Sequence, residues 1–291
     1  LPAACCLLLA LLCGCGPTPP AAFRVNTEGR DPSQLTRTGI EAISEAIEKR
    51  FGTPDRLPSK LPKDVELDAK RLAQAKGPVG GDRAGYASPA LVVQQGLRMI
   101  LTMTSQHAIG VNADTGELLW QFKHVTPWDE NIFSPIFHEG QVFISTGHRV
   151  GSVMLKVDVQ GRKASVQEVW RSTDLDNHHG GTILLDGYLY GSLWSQGWAC
   201  LEWQSGKTMY RERGVGKGSL TYADGMLYTL GENGQMGLVP ATPHQHAVVS
   251  RFRLPAGGQG PAWAHPVVCG GRLYLRHGDF LYAYDVRRSG S

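Results

Sequence analysis

Charge is the first thing this sequence is short of. Asp, Glu, Lys and Arg make up 19% of the 291 residues, and the formal net charge is only +3. No basic block or basic helix stands out, so the composition gives no case for a nucleic-acid partner. Charge this low, together with 36 glycines, fits a turn-rich globular chain and argues against a disordered or coiled one. The apolar run inside LPAACCLLLALLCGC, residues 1–15, is too short to span a bilayer. No Walker loop, HExxH helix or Ser-His-Asp signature is present, which removes the usual sequence cues for three large classes of hydrolase. Cysteine is scarce beyond the leader. Cys5, Cys6, Cys13 and Cys15 lie in the first fifteen residues, and only Cys200 and Cys269 follow. Each of those two sits in a strand-like run. They could pair or remain buried thiols, and the spacing leaves both open.

The short apolar run suits the h-region of a signal peptide. Leu12-Cys13-Gly14-Cys15 resembles a bacterial lipobox. That resemblance implies a diacylglycerol on Cys15, which would begin the mature chain, with GPTPPAA behind it as an extended tether. An ordinary cleaved signal peptide is the alternative. Either places the protein in the bacterial envelope, in the periplasm or at the outer membrane, and the first adds a lipid anchor.

Composition changes near residue 85. Residues 23–84 are rich in charge and hold no Trp or His, whereas all seven tryptophans and all ten histidines come later. The charged part reads as helical. Thr38-Gly39-Ile40-Glu41 has capping-box form, and Ile40, Ile43, Ile47 and Phe51 fall on one helical face before Gly52 and Pro54 stop it. A second helix is expected from Asp64 to about Ala75. The expected organisation is therefore a leader at 1–15, a tether and charged helical segment at 16–85, and an all-β domain at 86–291. The segment from Phe23 to Gly85 resembles the lead-in of secreted bacterial c-type cytochromes. Their Cys-x-x-Cys-His attachment site does not follow it here, so no haem is expected.

From residue 86 the chain alternates apolar and polar residues around short turns. SPIFHEGQVFIS (134–145), GTILLDGYLYGS (181–192), GSLTYADGMLYTL (218–230) and HPVVCGGRLYLR (265–276) each read as strand, two-residue turn, strand. Gly140, Gly187, Gly225 and Gly271 mark the turns, with Gly96 as a weaker first member. The spacing is roughly forty residues, the period of four-stranded propeller blades. A second strand pair follows each hairpin, clearest as HAIGVNADTGELLWQF, and an aromatic recurs after its turn at Trp120, Trp170, Tyr210 and Phe252. Aromatics at one phase of every unit can wedge between neighbouring units and bury area that one unit alone would leave wet.

The Asp114-Thr115-Gly116-x-x-x-Trp120 form at this period resembles the quinoprotein-type, or PQQ-like, β-propeller repeat family. The resemblance covers about residues 86–286 and implies an all-β propeller of four-stranded blades. Five units are visible: 86–122, 134–171, 180–213, 217–254 and 264–286. Family members usually have seven or eight blades, so the expectation is part of a larger ring, with tight closure at five as the alternative. Dehydrogenases of the family hold pyrroloquinoline quinone (PQQ) and calcium beneath a vicinal Cys-Cys. The only vicinal pair here, Cys5-Cys6, is in the leader. No stretch matches the family's calcium ligands or catalytic Asp. The expectation is thus a propeller without catalysis and without a cofactor that serves as a scaffold for another envelope protein. A degenerate or truncated PQQ- and calcium-dependent oxidoreductase, or an electron-transfer protein, is the alternative.

One set of side chains stands out. In a propeller the first strand of each blade begins beside the central channel. The residues just before those strands include Trp128, Asn131, Asn177, His178, His179, Lys217, Trp263 and His265. They are expected to converge on one face, either as a ligand pocket or as loop residues that close the ring. Adjacent histidines point apart on a strand and no chelating spacing is seen, so no metal is assigned.

Overall fold

The computed structural model describes residues 82–287. The leader with Cys15, the tether and the two expected helices lie outside the described residues.

Five antiparallel sheets follow one another along the chain. The first holds β1 (Ala90–Gln94), β2 (Leu97–Met103), β3 (His107–Asn112) and β4 (Leu118–Lys123). The second holds β5 (Ile136–His138), β6 (Gln141–Thr146), β7 (Gly151–Gln160) and β8 (Lys163–Ser172). The third holds β9 (Thr182–Leu185), β10 (Tyr188–Leu193), β11 (Gly197–Glu202) and β12 (Thr208–Glu212). The fourth holds β13 (Gly218–Ala223), β14 (Met226–Gly231), β15 (Gln235–Pro240) and β16 (Ser250–Arg253). The fifth is a three-stranded meander, β17 (Val267–Cys269), β18 (Arg272–His277) and β19 (Phe280–Asp285). Within each sheet, strands pair in chain order.

The opening hairpins share one turn. Its two central residues have positive φ in every sheet: Gln95-Gly96, Glu139-Gly140, Asp186-Gly187, Asp224-Gly225 and Gly270-Gly271. That backbone matches the right-handed twist of the flanking strands, and glycine at the second position adopts it without a Cβ clash. Gly96, the weakest of the five in sequence, has the same conformation as the rest.

The recurrent aromatics hold one position in the ladder. Trp120 pairs with Gly110, Trp170 with Met154, Tyr210 with Cys200 and Phe252 with Met236, always outermost strand against third strand. In the first three sheets the register shifts immediately afterwards, so a bulge accompanies the ring. Each ring then reaches a seam between sheets. Trp170 donates from Nε1 to the carbonyl of Trp203 in the next sheet, at 2.9 Å. Tyr210 joins Leu220, Leu227 and Val239 of the fourth sheet, and Phe252 lies 4.7 Å from Tyr284 of the fifth. Trp120 is buried in the cluster that unites the first three sheets and lies flat over Gly110.

Three buried clusters link the sheets in series: first to third, third to fourth, and fourth to fifth. Fully burying one Leu or Phe contributes roughly 1.5–3 kcal/mol, so these seams dominate the stability. Among the described residues no such cluster joins the fifth sheet to the first, and Leu91 and Val93 of β1 remain exposed. Cys200 is a buried free thiol, pushed up to about 12 by burial, so it is not bonded to Cys269.

Asp82 fastens the first sheet at its β2–β3 turn. Its carboxylate accepts from Ser105 Oγ at 2.6 Å, the Gln106 amide at 2.9 Å and the Thr104 hydroxyl, and lies 2.8 Å from His107 Nδ1. Burial pushes this carboxyl up, but the bonds from Ser105, Thr104, His107 and Gln106 together hold it below the usual range. Asp82→Ala strands several donors at once. The expected loss is about 2 kcal/mol, read as a lower urea midpoint with unchanged slope. A midpoint equal to wild type would show that the clasp contributes nothing.

Candidate functional site

Antiparallel alternation decides which loops meet. The entry to a blade's first strand and the turn between its second and third strands fall at the same end of the sheet. β13 touches both β9 and β17, which places the first strands next to one another around the axis. The loops before β5, β9, β13 and β17 therefore gather at one end of the axis, with the β6–β7, β10–β11 and β14–β15 turns beside them.

His178, His179, Lys217, Trp263 and His265 are brought together there. Around them stand four residues that the sequence reading missed: Glu130 before β5, His148 in the β6–β7 turn, Trp194 in the β10–β11 turn and Glu232 in the β14–β15 turn. Three of these hold the same phase of successive blades, the turn after the second strand, and that phase was the signal available in the sequence.

The cluster has two linked halves. In one, His148 Nε2 lies 2.9 Å and His178 Nε2 3.5 Å from Glu130 Oε2. In the other, Lys217 Nζ is 3.1 Å from Glu232 Oε1, and Trp263 Nε1 donates to the same oxygen at 2.8 Å. The Lys217 ammonium also sits 4.1 Å above the Trp194 ring. His179 joins the halves, with Nδ1 3.3 Å from His178 Nδ1 and Nε2 3.8 Å from Glu232 Oε1. His265 supports His179 from behind, its Nε2 3.2 Å from the His179 carbonyl.

The electrostatics leave neutral imidazoles beside carboxylates. Burial lowers the His178 pKa, helped by the Lys217 charge. Burial pushes His179 down to about 3, with Lys217, His178 and His265 adding to it. Hydrogen bonding from His148, then from His178, holds the Glu130 carboxyl below its usual range. Neutral ring nitrogens beside an ionised carboxylate are good donors for a cation.

The other sequence-chosen residues stand apart from this cluster. Asn131 is fully buried and donates from Nδ2 to the carbonyls of Thr104 and His124, both at 2.9 Å, tying the first sheet to the second. Asn177 is equally buried and donates to Gly181 and Ser192 carbonyls. The amide nitrogens of both are spent on backbone carbonyls. Trp128 belongs to a loop at this end but is 72% exposed, and among the described residues it stacks on no ring.

The calcium of the quinoprotein dehydrogenases does not fit these donors. Calcium takes six to eight oxygen ligands, whereas imidazole nitrogens dominate here. Among the described residues, which contain only Cys200 and Cys269, no vicinal cysteine pair is present to lie over a quinone.

The class these elements define is the β-propeller. By sequence, the chain matches no family model and no curated protein. Among solved structures it is similar to BamB from Moraxella catarrhalis, at 12% identity and a TM-score of 0.49, over 68% of this chain and 58% of that one. It is also similar to the quinohemoprotein alcohol dehydrogenase from Comamonas testosteroni, at 11% identity and a TM-score of 0.46, over 65% of this chain and 43% of that one. The chain thus spans less than two thirds of either protein.

Proposed function

We propose that this protein is a non-catalytic propeller of the bacterial envelope whose channel end receives a segment of another envelope protein. The observation that carries the reading is a pair of tryptophans at that end. Trp128 is 72% and Trp263 51% exposed, on loops that flank a buried polar cluster. Large exposed aromatics beside fixed polar groups are the usual anchors of protein recognition. The leader, with Cys15 as lipid acceptor, supports the envelope location and a membrane anchor. Among the described residues no arrangement of a nucleophile with a base and an oxyanion donor accompanies the cluster, which favours binding over turnover.

Photo-crosslinking in the bacterium tests this. A crosslinker at position 128 or 263 is expected to trap one discrete protein, and one at Asp224, on the opposite end, none. Trp263→Ala is expected to reduce the product from position 128 by at least about fivefold, in keeping with roughly 1–2 kcal/mol for an aromatic anchor. Equal crosslinking from both ends would refute the reading. So would dye-linked alcohol oxidation on adding PQQ and calcium.

A further inference from the structure

We propose that Glu130, His148 and His178 form a binding site for a divalent transition-metal cation, held by Glu130 Oε2, His148 Nε2 and His178 Nε2. These three donor atoms already lie within 4.8 Å of one another. Two of the separations are 2.9 and 3.5 Å. Metal–ligand bonds of about 2.0–2.2 Å in a tetrahedral site place neighbouring donors roughly 3.3–3.6 Å apart. A cation would take the position now bridged by hydrogen bonds; each Nε2 then changes from donor to ligand, and its proton is carried on Nδ1 of the same ring.

The donor set selects the metal class. Two imidazoles and one carboxylate suit zinc and its first-row neighbours and do not suit calcium or magnesium. Three protein ligands leave at least one position for water or for a donor from a bound molecule. The Glu130 side chain is 36% exposed while both histidines are 10% exposed, so that position faces solvent at the channel end.

The surroundings hold the ligands in place. The His148 ring lies 4.0 Å from Trp194 at 35°, and the His178 ring meets the same indole edge-on at 4.6 Å. His178 Nδ1 faces His179 Nδ1 at 3.3 Å, so the tautomer that frees Nε2 for a metal has an acceptor for its Nδ1 proton. His148 and Arg149 have φ of +59° and +65°, in a turn closed by the Val150 amide on the Gly147 carbonyl at 3.1 Å. Such turns favour Asn-Gly, and two side-chain-bearing residues adopt this conformation only at a cost. The backbone bears that cost at the point that aims His148 at Glu130.

The site stands or falls independently of any protein partner. Titration of the metal-free full chain with zinc, read by competition with a chromogenic chelator, is expected to show one site per chain tighter than about 1 μM. Cobalt(II) in its place is expected to give the intense visible bands of a four- or five-coordinate ion. His148→Ala and His178→Ala should each weaken binding about 100-fold, and His179→Ala about tenfold. Glu130→Gln, a near-isosteric change at a partly exposed side chain, tests the ligand set without endangering the fold. It should also weaken zinc at least tenfold. His138→Ala, at an exposed His138–Glu139 pair in the β5–β6 turn at the opposite end of the sheet, should change nothing. Wild-type affinity in Glu130→Gln and His148→Ala would overturn the proposal, as would displacement of zinc by millimolar calcium.

Discussion

Lowering the pH from 7 to 5 is expected to cost the folded protein about 2–4 kcal/mol, through two buried histidines outside the channel-end cluster. His124 and His246 are 2% and 3% exposed. Burial pushes both down to about 4, with Arg171 adding to the effect at His124. His124 Nε2 lies 2.8 Å from the Thr146 hydroxyl, which itself donates to Asn131 Oδ1 at 3.0 Å. The proton of neutral His124 therefore sits on Nε2, and Nδ1 is buried without a partner. A second proton would place an unpaired charge there. Both groups have folded pKa values below their unfolded values near 6.5. The unfolded chain thus binds more protons between about 6.5 and 4, and stability is lost as pH falls through that window. At pH 5 each contributes roughly 2 kcal/mol of loss. His246 stacks on Trp198 at 5.3 Å and 9°, and a cation over an indole recovers up to about 2 kcal/mol, so His124 is the cleaner reporter. Thermal unfolding at the two pH values checks this. His124→Gln, whose amide can still donate to Thr146, should remove the roughly 2 kcal/mol that His124 contributes to the pH dependence. An unchanged pH profile in that variant would refute the assignment.

The fold was legible because its devices are local. A two-residue turn with glycine second, an aromatic after the second turn of each unit, and a forty-residue period can all be read along the chain. All five opening hairpins and the four aromatic positions match that reading. The fifth unit is a three-stranded meander, a difference that the turn signal could not reveal because it marks only the opening hairpin.

The channel end was half legible. The loops before the first strands were identifiable, and His178, His179, Lys217, Trp263 and His265 do meet there. Their partners come from turns between second and third strands, where no strand pattern draws attention to a single His or Glu. Glu130, His148 and His178 are 18 and 30 residues apart along the chain. No chelating motif spans such gaps, and only closure of one blade onto the next creates the triad. Asn131 and Asn177 show the converse. They sit at the same entry positions, but sequence cannot tell an amide that faces a channel from one that turns inward to hold carbonyls.

Gly218→Ala is expected to be the most damaging small substitution in the described chain. A methyl there would stand 1.9 Å from the Leu230 carbonyl oxygen, within its own sheet. Gly180 leans on Gly218 from the other side, where a methyl would stand 1.8 Å from the Gly218 oxygen. Ser192 Oγ donates to that oxygen at 2.6 Å. Backbone thus packs on backbone from the third sheet to the second strand of the fourth, and no flexible side chain lies between to absorb a shift. Overpacking commonly costs 1–3 kcal/mol where side chains can yield. Here β13 itself must move, so a loss of at least about 3 kcal/mol is expected, a large share of a typical 5–15 kcal/mol. Lys217 precedes this glycine, so the same displacement pulls its ammonium from Glu232 and Trp194. Gly225→Ala is the control. Its φ is +76°, but nothing lies within 4 Å of an added methyl, so only the local backbone cost of about 1 kcal/mol applies. Urea unfolding should rank wild type above Gly225→Ala and that well above Gly218→Ala. If the two variants lost equal stability, turn conformation and not the approach of β9 to β13 would limit how tightly the blades close beside the site.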